Sequence, residues 1–229
     1  MDFSNVRVIT FDCYGTLIDW ETGILGAIRP ILSAHGTELS EAEILRLYGE
    51  IEAEEELRRY RDYKEILRSV VQEFGRRFGF EPSDGQARSL PDSLAEWKPF
   101  PDTVPALRRL RARFQLGIIS NIDDDLFSRT SRLLEVDFDY VITAAQARAY
   151  KPSPEIFRLA LKRMAPARGQ WLHAAQSLYH DVVPARALGI PAVWINRGSP
   201  YRNAGALRPA SGAPEAEVPS LEALAHLLC

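Results

Sequence analysis

Short apolar runs separated by longer amphipathic stretches set the rhythm of this chain. Val6-Arg7-Val8-Ile9-Thr10-Phe11 is a β-branched and aromatic run that stops at Asp12 and Gly15, the pattern of a buried strand ending in a polar turn. Residues 115–119, 140–143, 171–173 and 192–195 repeat that form. Helical patterns fall between them at 104–112, 124–134, 154–164 and 181–188, so strand and helix alternate as in a parallel α/β sheet. Ser153-Pro154 supplies an N-cap followed by proline where a missing N–H costs least. Residues 198–219, crowded with Gly, Pro, Ala and Ser, predict an irregular surface connection before a last helix at 221–228.

The first and second strands are far apart, and the chain between them has helical periodicity and few strand signals. Ile24, Ile28, Ile31 and Leu32 form one stripe, Ile44, Leu47, Tyr48 and Ile51 a second, and Leu67, Val70, Val71, Phe74 and Phe78 a third. Pro30 predicts a kink or early break in the first. Ser40-Glu41-Ala42-Glu43 reads as a capping box. Glu54/Arg58 and Glu55/Arg59 have i,i+4 spacing and predict a solvated helix face. The division that follows is a core of residues 1–17 and 99–229 with a helical insertion at 18–98.

A chain of 229 residues suits such a core-plus-insertion plan. The 28 Lys+Arg against 31 Asp+Glu give a formal charge of −3 and no basic stripe, which argues against a nucleic-acid partner. The start lacks a signal-peptide pattern, and no stretch reaches the ~18 apolar residues of a membrane span. A cytoplasmic protein without membrane contact is the expectation. Cys13 and Cys229 lack metal-ligand spacing and suggest no disulfide framework, and Cys13 reads as a small buried residue at a strand end.

In an open parallel sheet, reactive groups gather at the carboxyl ends of the strands. Those ends carry Asp12, Tyr14 and Thr16; Ser120, Asn121 and Asp123; Lys151 after the third strand; and Gln176, Ser177, His180 and Asp181 after the fourth. Two carboxylates and a lysine from separate strand ends make a nucleophile with an electrostatic frame. Several of these residues also have plain structural readings. Thr16 closes a turn or contacts substrate, Asp123 caps the helix after it, and His180 is a loop histidine. Asp181 either caps its own helix or belongs to the site. Tyr60 and Tyr63 read as aromatic packing within the insertion rather than as pocket residues.

Four segments together resemble the haloacid dehalogenase superfamily of aspartate-nucleophile hydrolases: FDCYGTLID at 11–19, the Ser120-Asn121 pair, Lys151 in YKPSPEIF, and AQSLYHD ending in Asp181. The resemblance implies a Rossmann-like parallel sheet with an inserted α-helical cap. It makes Asp12, Lys151 and Asp181 catalytic and assigns Tyr14, Thr16, Ser120 and Asn121 to substrate binding. Phosphatases of the superfamily mostly carry an aspartate two residues after the nucleophile as general acid, where this chain has Tyr14. They also pair two acids five residues apart near magnesium, where this chain has Gln176 before Asp181. The 2-haloacid dehalogenases share the aspartate-x-tyrosine arrangement.

The reaction implied is therefore hydrolytic dehalogenation of a short 2-haloacid through an aspartyl ester, with no metal and no cofactor. A small carboxylate is the expected partner, and the amphipathic insertion offers a surface for a homodimer. The alternative within the superfamily is a Mg²⁺-dependent phosphatase of small molecules. The alternative from another class is a non-catalytic binding protein. Two features depart from the dehalogenase pattern. The arginine expected early in the cap has only Arg46 as a neighbour, and Leu178 stands where an asparagine is expected.

Overall fold

In the computed structural model, which describes residues 3–167, 169–198 and 211–229, six parallel strands form one sheet. These are β1 (Val8–Phe11), β2 (Gln115–Ser120), β3 (Tyr140–Thr143), β4 (Trp171–Ala175), β5 (Ala192–Ile195) and β6 (Ala216–Val218), in the spatial order β3-β2-β1-β4-β5-β6. The order reverses direction between β1 and β4, and at such a switch point the loops diverge and leave a crevice at the carboxyl ends. Phe11 is in register with both Ile118 and Ala174, so Asp12 emerges at the centre of that crevice.

Strand residues alternate between two buried faces. Ile9, Phe11, Ile118 and Leu172 join one core, and Val8, Ile119, Ile142 and Trp171 join the other. Burial on both sides explains why these strands read as continuous apolar runs rather than as alternation. β6 lies within the stretch predicted to be irregular. Its three residues pair only with β5, from Val193↔Ala216 to Ile195↔Val218, and a segment so short between Pro214 and Pro219 carries no readable period. Residues 199–210 of that predicted connection lie outside the described residues.

Helices α5 (Thr103–Arg111), α6 (Asp124–Thr130), α7 (Ala144–Ala147), α8 (Pro154–Met164), α9 (Val183–Ala187) and α10 (Leu221–Leu228) belong to the sheet-bearing part, and the helices before them in the chain to the insertion. The helix predicted at 124–134 is shorter, giving way to a 3₁₀ turn at Ser131–Leu133. The one predicted from Asp181 instead opens with a π-helical turn at Leu178–Val182 that leads into α9. That wider turn carries Asp181 into the interior, where it is 1 % exposed.

Between β1 and β2 the chain forms α1 (Trp20–Ala34), α2 (Glu41–Glu56), α3 (Tyr63–Phe78) and α4 (Asp84–Ser93). The segment leaves and rejoins the sheet through paired extended backbone: Asp19 N–H donates to the Lys98 carbonyl at 2.8 Å, and Phe100 N–H to the Leu17 carbonyl at 3.0 Å. The Ser40–Glu43 capping box forms at the start of α2. α1 does not break at Pro30 but continues to Ala34. The carbonyl left without a donor four residues back belongs to exposed Gly26, where water can serve it, while buried Ile31 and Leu32 anchor the last turn. The i,i+4 pairs expected near the end of α2 do not form, because the helix stops at Glu56. Glu55 pairs instead with Arg58 and Arg61, and Glu54 with Arg77. No described helix is long and apolar enough to cross a membrane.

Two glycines of α1 separate packing from propensity. A Cβ at Gly23 would lie 2.3 Å from the Trp97 ring, so Gly23→Ala is expected to lower unfolding free energy by about 1–3 kcal/mol. A Cβ at Gly26 meets nothing within 4 Å, and Gly26→Ala is expected to raise it by about 0.5–1 kcal/mol. Urea unfolding of both variants checks the opposite signs.

Candidate active site

The crevice is organised around a buried ammonium. Lys151 Nζ donates to Asp12 Oδ1 at 2.8 Å, to Asp181 Oδ1 at 2.7 Å and to the Ile119 carbonyl at 3.0 Å. Those three bonds use all its protons. Lys151, Asp12 and Asp181 are only 2 %, 7 % and 1 % exposed, so the charges interact through a medium that screens far less than water. One cation serves two carboxylates, and they respond differently. At Asp181 burial pushes the carboxyl up, but the Lys151 ammonium and a hydrogen bond from His173 outweigh it and hold it below the usual carboxylate value. At Asp12 burial prevails over Lys151 and Thr16, with the Asp181 charge adding to it, and the carboxyl is raised. Burial opposes the charge on Lys151, but the two carboxylates win and hold it above the usual lysine value.

Asp181 is oriented from beneath the sheet. Trp171 Nε1 donates to Thr10 Oγ1 at 2.7 Å, Thr10 Oγ1 lies 2.8 Å from His173 Nδ1, and His173 Nε2 lies 3.0 Å from Asp181 Oδ1. Asp181, held low, can only accept, which assigns Nε2–H as the donor; with Nε2 carrying the proton, the Thr10 hydroxyl is the donor to Nδ1 and its oxygen accepts from the indole. Asp181 Oδ2 is buried and has no protein partner. Alternation along β4 places His173 inward, yet a single histidine in a strand gave no sign of this role.

The loop after β1 is shaped for Asp12. Thr16 Oγ1 donates to Asp12 Oδ2 at 2.8 Å and accepts from Gln176 N–H at 2.9 Å, tying the first strand end to the fourth. Gly15 has φ +88°, and a Cβ there would meet Gln176 Oε1 at 2.6 Å. Arg197, which the sequence patterns did not single out, donates to the Thr16 carbonyl at 2.7 Å and pairs with Asp102 at 2.8 Å. Cys13 is buried and unpaired.

The remaining candidates line the same space with their polar atoms partly committed. Asn121 brackets the Lys151 peptide, accepting from its N–H at 2.7 Å and donating to its carbonyl at 3.1 Å, and also donates to Glu56 at 3.1 Å. Tyr14 OH lies 2.8 Å from Thr130 Oγ1, and burial keeps its proton on. Ser120 and His180 also line the space, and His180 N–H donates to Ser177 Oγ at 3.0 Å. Asp123 does not cap its own helix. It accepts from Tyr63 N–H at 2.9 Å and Lys64 N–H at 3.0 Å, and so caps α3 in the insertion.

From above, the insertion closes a cavity of about 50 Å³ over Asp12. Since ~10–15 Å³ of such space suffices for one water, a ligand of a few non-hydrogen atoms fits. Its roof contains Trp20, Glu52, Glu56 and Tyr63. Tyr63 lines the pocket and also packs in the core, its ring 6.1 Å from that of Tyr150, while Tyr60 stacks on Tyr150 with centroids 5.4 Å apart. Arg46 is exposed and pairs with Glu50 at 3.0 Å, away from the cavity lining. Glu52 was readable in principle: Ile44, Tyr48 and Glu52 are spaced i, i+4, i+8 along the buried stripe of α2.

This arrangement can hold an ionised carboxylate against a small enclosed ligand, with an unfilled acceptor on Asp181. It is poorly suited to a divalent cation. Among the described residues no group of three or more His, Cys, Asp or Glu side chains is placed to hold a metal, and Asp12 and Asp181 already share the Lys151 ammonium.

Several known proteins are similar to this chain. A family model described as haloacid dehalogenase-like hydrolase matches residues 6–176. Haloacetate dehalogenase H-2 of Moraxella sp. (strain B) is 28% identical over 236 residues, covering 97% of this chain and 98% of that protein. An (S)-2-haloacid dehalogenase of Pseudomonas fluorescens is 27% identical over 201 residues, 84% of this chain and 86% of the relative. The solved L-2-haloacid dehalogenase from Xanthobacter autotrophicus with chloropropionic acid covalently bound matches with a TM-score of 0.82 at 21% identity, over 97% of this chain and 98% of that one. At that identity the likeness shows the fold.

Lys151→Met leaves two buried carboxylates facing each other with no cation. The expected loss is about 3–5 kcal/mol of unfolding free energy at neutral pH. Part of it should return as pH falls and one carboxyl protonates, which urea unfolding at several pH values measures.

Proposed function

This chain belongs to the haloacid dehalogenase-like hydrolases, and from that premise we propose that it hydrolyses the carbon–halogen bond of a short 2-haloacid through an ester on Asp12. The observation that carries the reading is the pairing of a lysine-held Asp12 with Tyr14 two residues on, its hydroxyl engaged with Thr130. An oxygen leaving group needs a proton from that position, and a halide does not. The (S)-2-haloacid and haloacetate dehalogenases among the relatives supply the substrate class.

In the first step an Asp12 carboxylate oxygen attacks the halogen-bearing carbon. The new C–O bond forms as the C–halogen bond breaks, and the halide leaves with the bonding electrons. Lys151 favours the ionised form of Asp12 against burial and aims it, and Thr16 holds its second oxygen. In the second step a water attacks the Asp12 carboxyl carbon, releasing the 2-hydroxy acid and a proton and restoring the carboxylate. Asp181 Oδ2, buried without a protein partner, is the acceptor suited to orient that water. Tyr14 and Ser120 line the substrate space, and Asn121 acts chiefly by fixing the Lys151 backbone.

On this reading residues 18–98 act as the cap over a core of 1–17 and 99–229. The substrate is a small carboxylate and no cofactor takes part. The donor set at Asp12 and Asp181 does not favour the magnesium-dependent alternative.

With excess EDTA, the protein is expected to release chloride from 2-chloropropionate in step with hydroxy acid. Asp12→Asn is expected to lower the rate by a factor of about 10³ or more. Phosphate release from small phosphomonoesters that requires Mg²⁺, with no halide release, would overturn the proposal.

A further inference from the structure

Counting charges in the cavity exposes a difficulty for an anionic substrate. Asp12 and Asp181 face a single cation, Lys151, whose protons are all committed. The roof adds Glu52 and Glu56 and no arginine. If every carboxyl were ionised, a haloacid carboxylate and a departing halide would enter a space with net negative charge and little dielectric screening.

Glu52 resolves the difficulty. It is 7 % exposed, and Tyr48 OH donates to its Oε1 at 2.8 Å, with Tyr63 OH donating to the same oxygen. Burial is the largest influence and raises its carboxyl, against the two hydroxyls, and no cation is among the groups acting on it. The titratable groups around it are Tyr48 and Glu56 on its own helix and Tyr63 on α3. Across the cavity stand Asp12 and Tyr14 after β1, Lys151, and His180 with Asp181 after β4. Burial keeps both tyrosine protons in place as donors.

A second, independent feature is an unmet donor on a residue of the cavity lining. Trp20 lines the cavity, packs edge-on against Tyr48 with ring centroids 6.2 Å apart, and its indole N–H is buried without a partner. A buried donor left unpaired is costly unless a ligand or water meets it.

Resting on the function proposed above, we propose that Glu52 works as an uncharged carboxylic acid and, with the Trp20 indole N–H, forms the donor pair that receives the anion in the cavity above Asp12. The pair donates hydrogen bonds and transfers no proton. It does from the cap what a cation would otherwise do.

The test has a readout independent of turnover. Difference infrared spectra of the intact protein against Glu52→Gln should show a protonated carboxyl band at neutral pH that is missing in the variant. Adding sodium chloride or sodium acetate should shift that group's titration to higher pH, because an anion that accepts its hydrogen bond stabilises the protonated form. Trp20→Phe should weaken the anion's effect about tenfold, in keeping with one lost hydrogen bond to a charged group. In turnover, halide release by the parent enzyme should fall about tenfold per pH unit once Glu52 ionises. Glu52→Gln, which still accepts from both tyrosines, should be a few-fold slower yet lack that basic limb. An ionised Glu52 at neutral pH, a titration that anions leave unmoved, or a basic limb that survives in Glu52→Gln would overturn the proposal. A loss of about 10²-fold or more in the variant would also overturn it, since that marks proton transfer. If the parent protein releases no halide, the functional reading fails, while the infrared titration still decides the donor pair.

Discussion

Everything at the carboxyl edge of the sheet is arranged around one ammonium that must balance two carboxylates out of contact with water. Burying a lysine is tolerable only if each of its donors is met and opposite charge is close. Lys151 meets that condition through Asp12, Asp181 and the Ile119 carbonyl. Its backbone is bracketed by Asn121, which ties its position to the end of β2. Asp181 receives a second donor from His173, so it can share the cation and leave Asp12 the less stabilised and more reactive of the pair. The π-helical turn after β4 belongs to the same constraint, since it is what carries Asp181 inward.

The second organising feature is how the helical insertion is tied to the sheet. Asp123, at the end of β2, caps α3, and Asn121 reaches Glu56 at the end of α2. Tyr150 OH, beside Lys151, donates to the Arg61 carbonyl at 2.8 Å. The residues that place the lysine and close the roof are thus neighbours in the chain, and a shift of one is felt by the other. The roof itself is acidic and aromatic where a basic side chain was expected, which makes the protonation of Glu52 a condition for admitting an anion.

Much of this could be read from residue order alone, and the rest resisted for identifiable reasons. Apolar runs buried on both faces announced β1 to β5, and Ser153-Pro154 marked the start of α8. β6 escaped because three residues at an edge, flanked by prolines, show no period. The break open to Pro30 does not occur because the carbonyl it leaves without a donor belongs to exposed Gly26. Asp12, Lys151 and Asp181 stood out as charged groups at strand ends. Glu52 and His173 did not, because each sits on a buried stripe where a polar residue looks like noise until its partners from distant segments are known. Asp123 shows the same limit: its type correctly suggested a cap, but which helix it caps is decided by tertiary contact.

The claim at the centre of this account is that Asp12 attacks carbon. Acid-quenching the enzyme during turnover of 2-chloropropionate and weighing the peptide that contains Asp12 tests it directly. A mass increase equal to the substrate without its chloride, confined to that peptide and absent when the reaction has run out, is the predicted result. Sustained turnover with an unmodified Asp12 peptide, or a phosphoryl adduct there with a phosphomonoester, would contradict it.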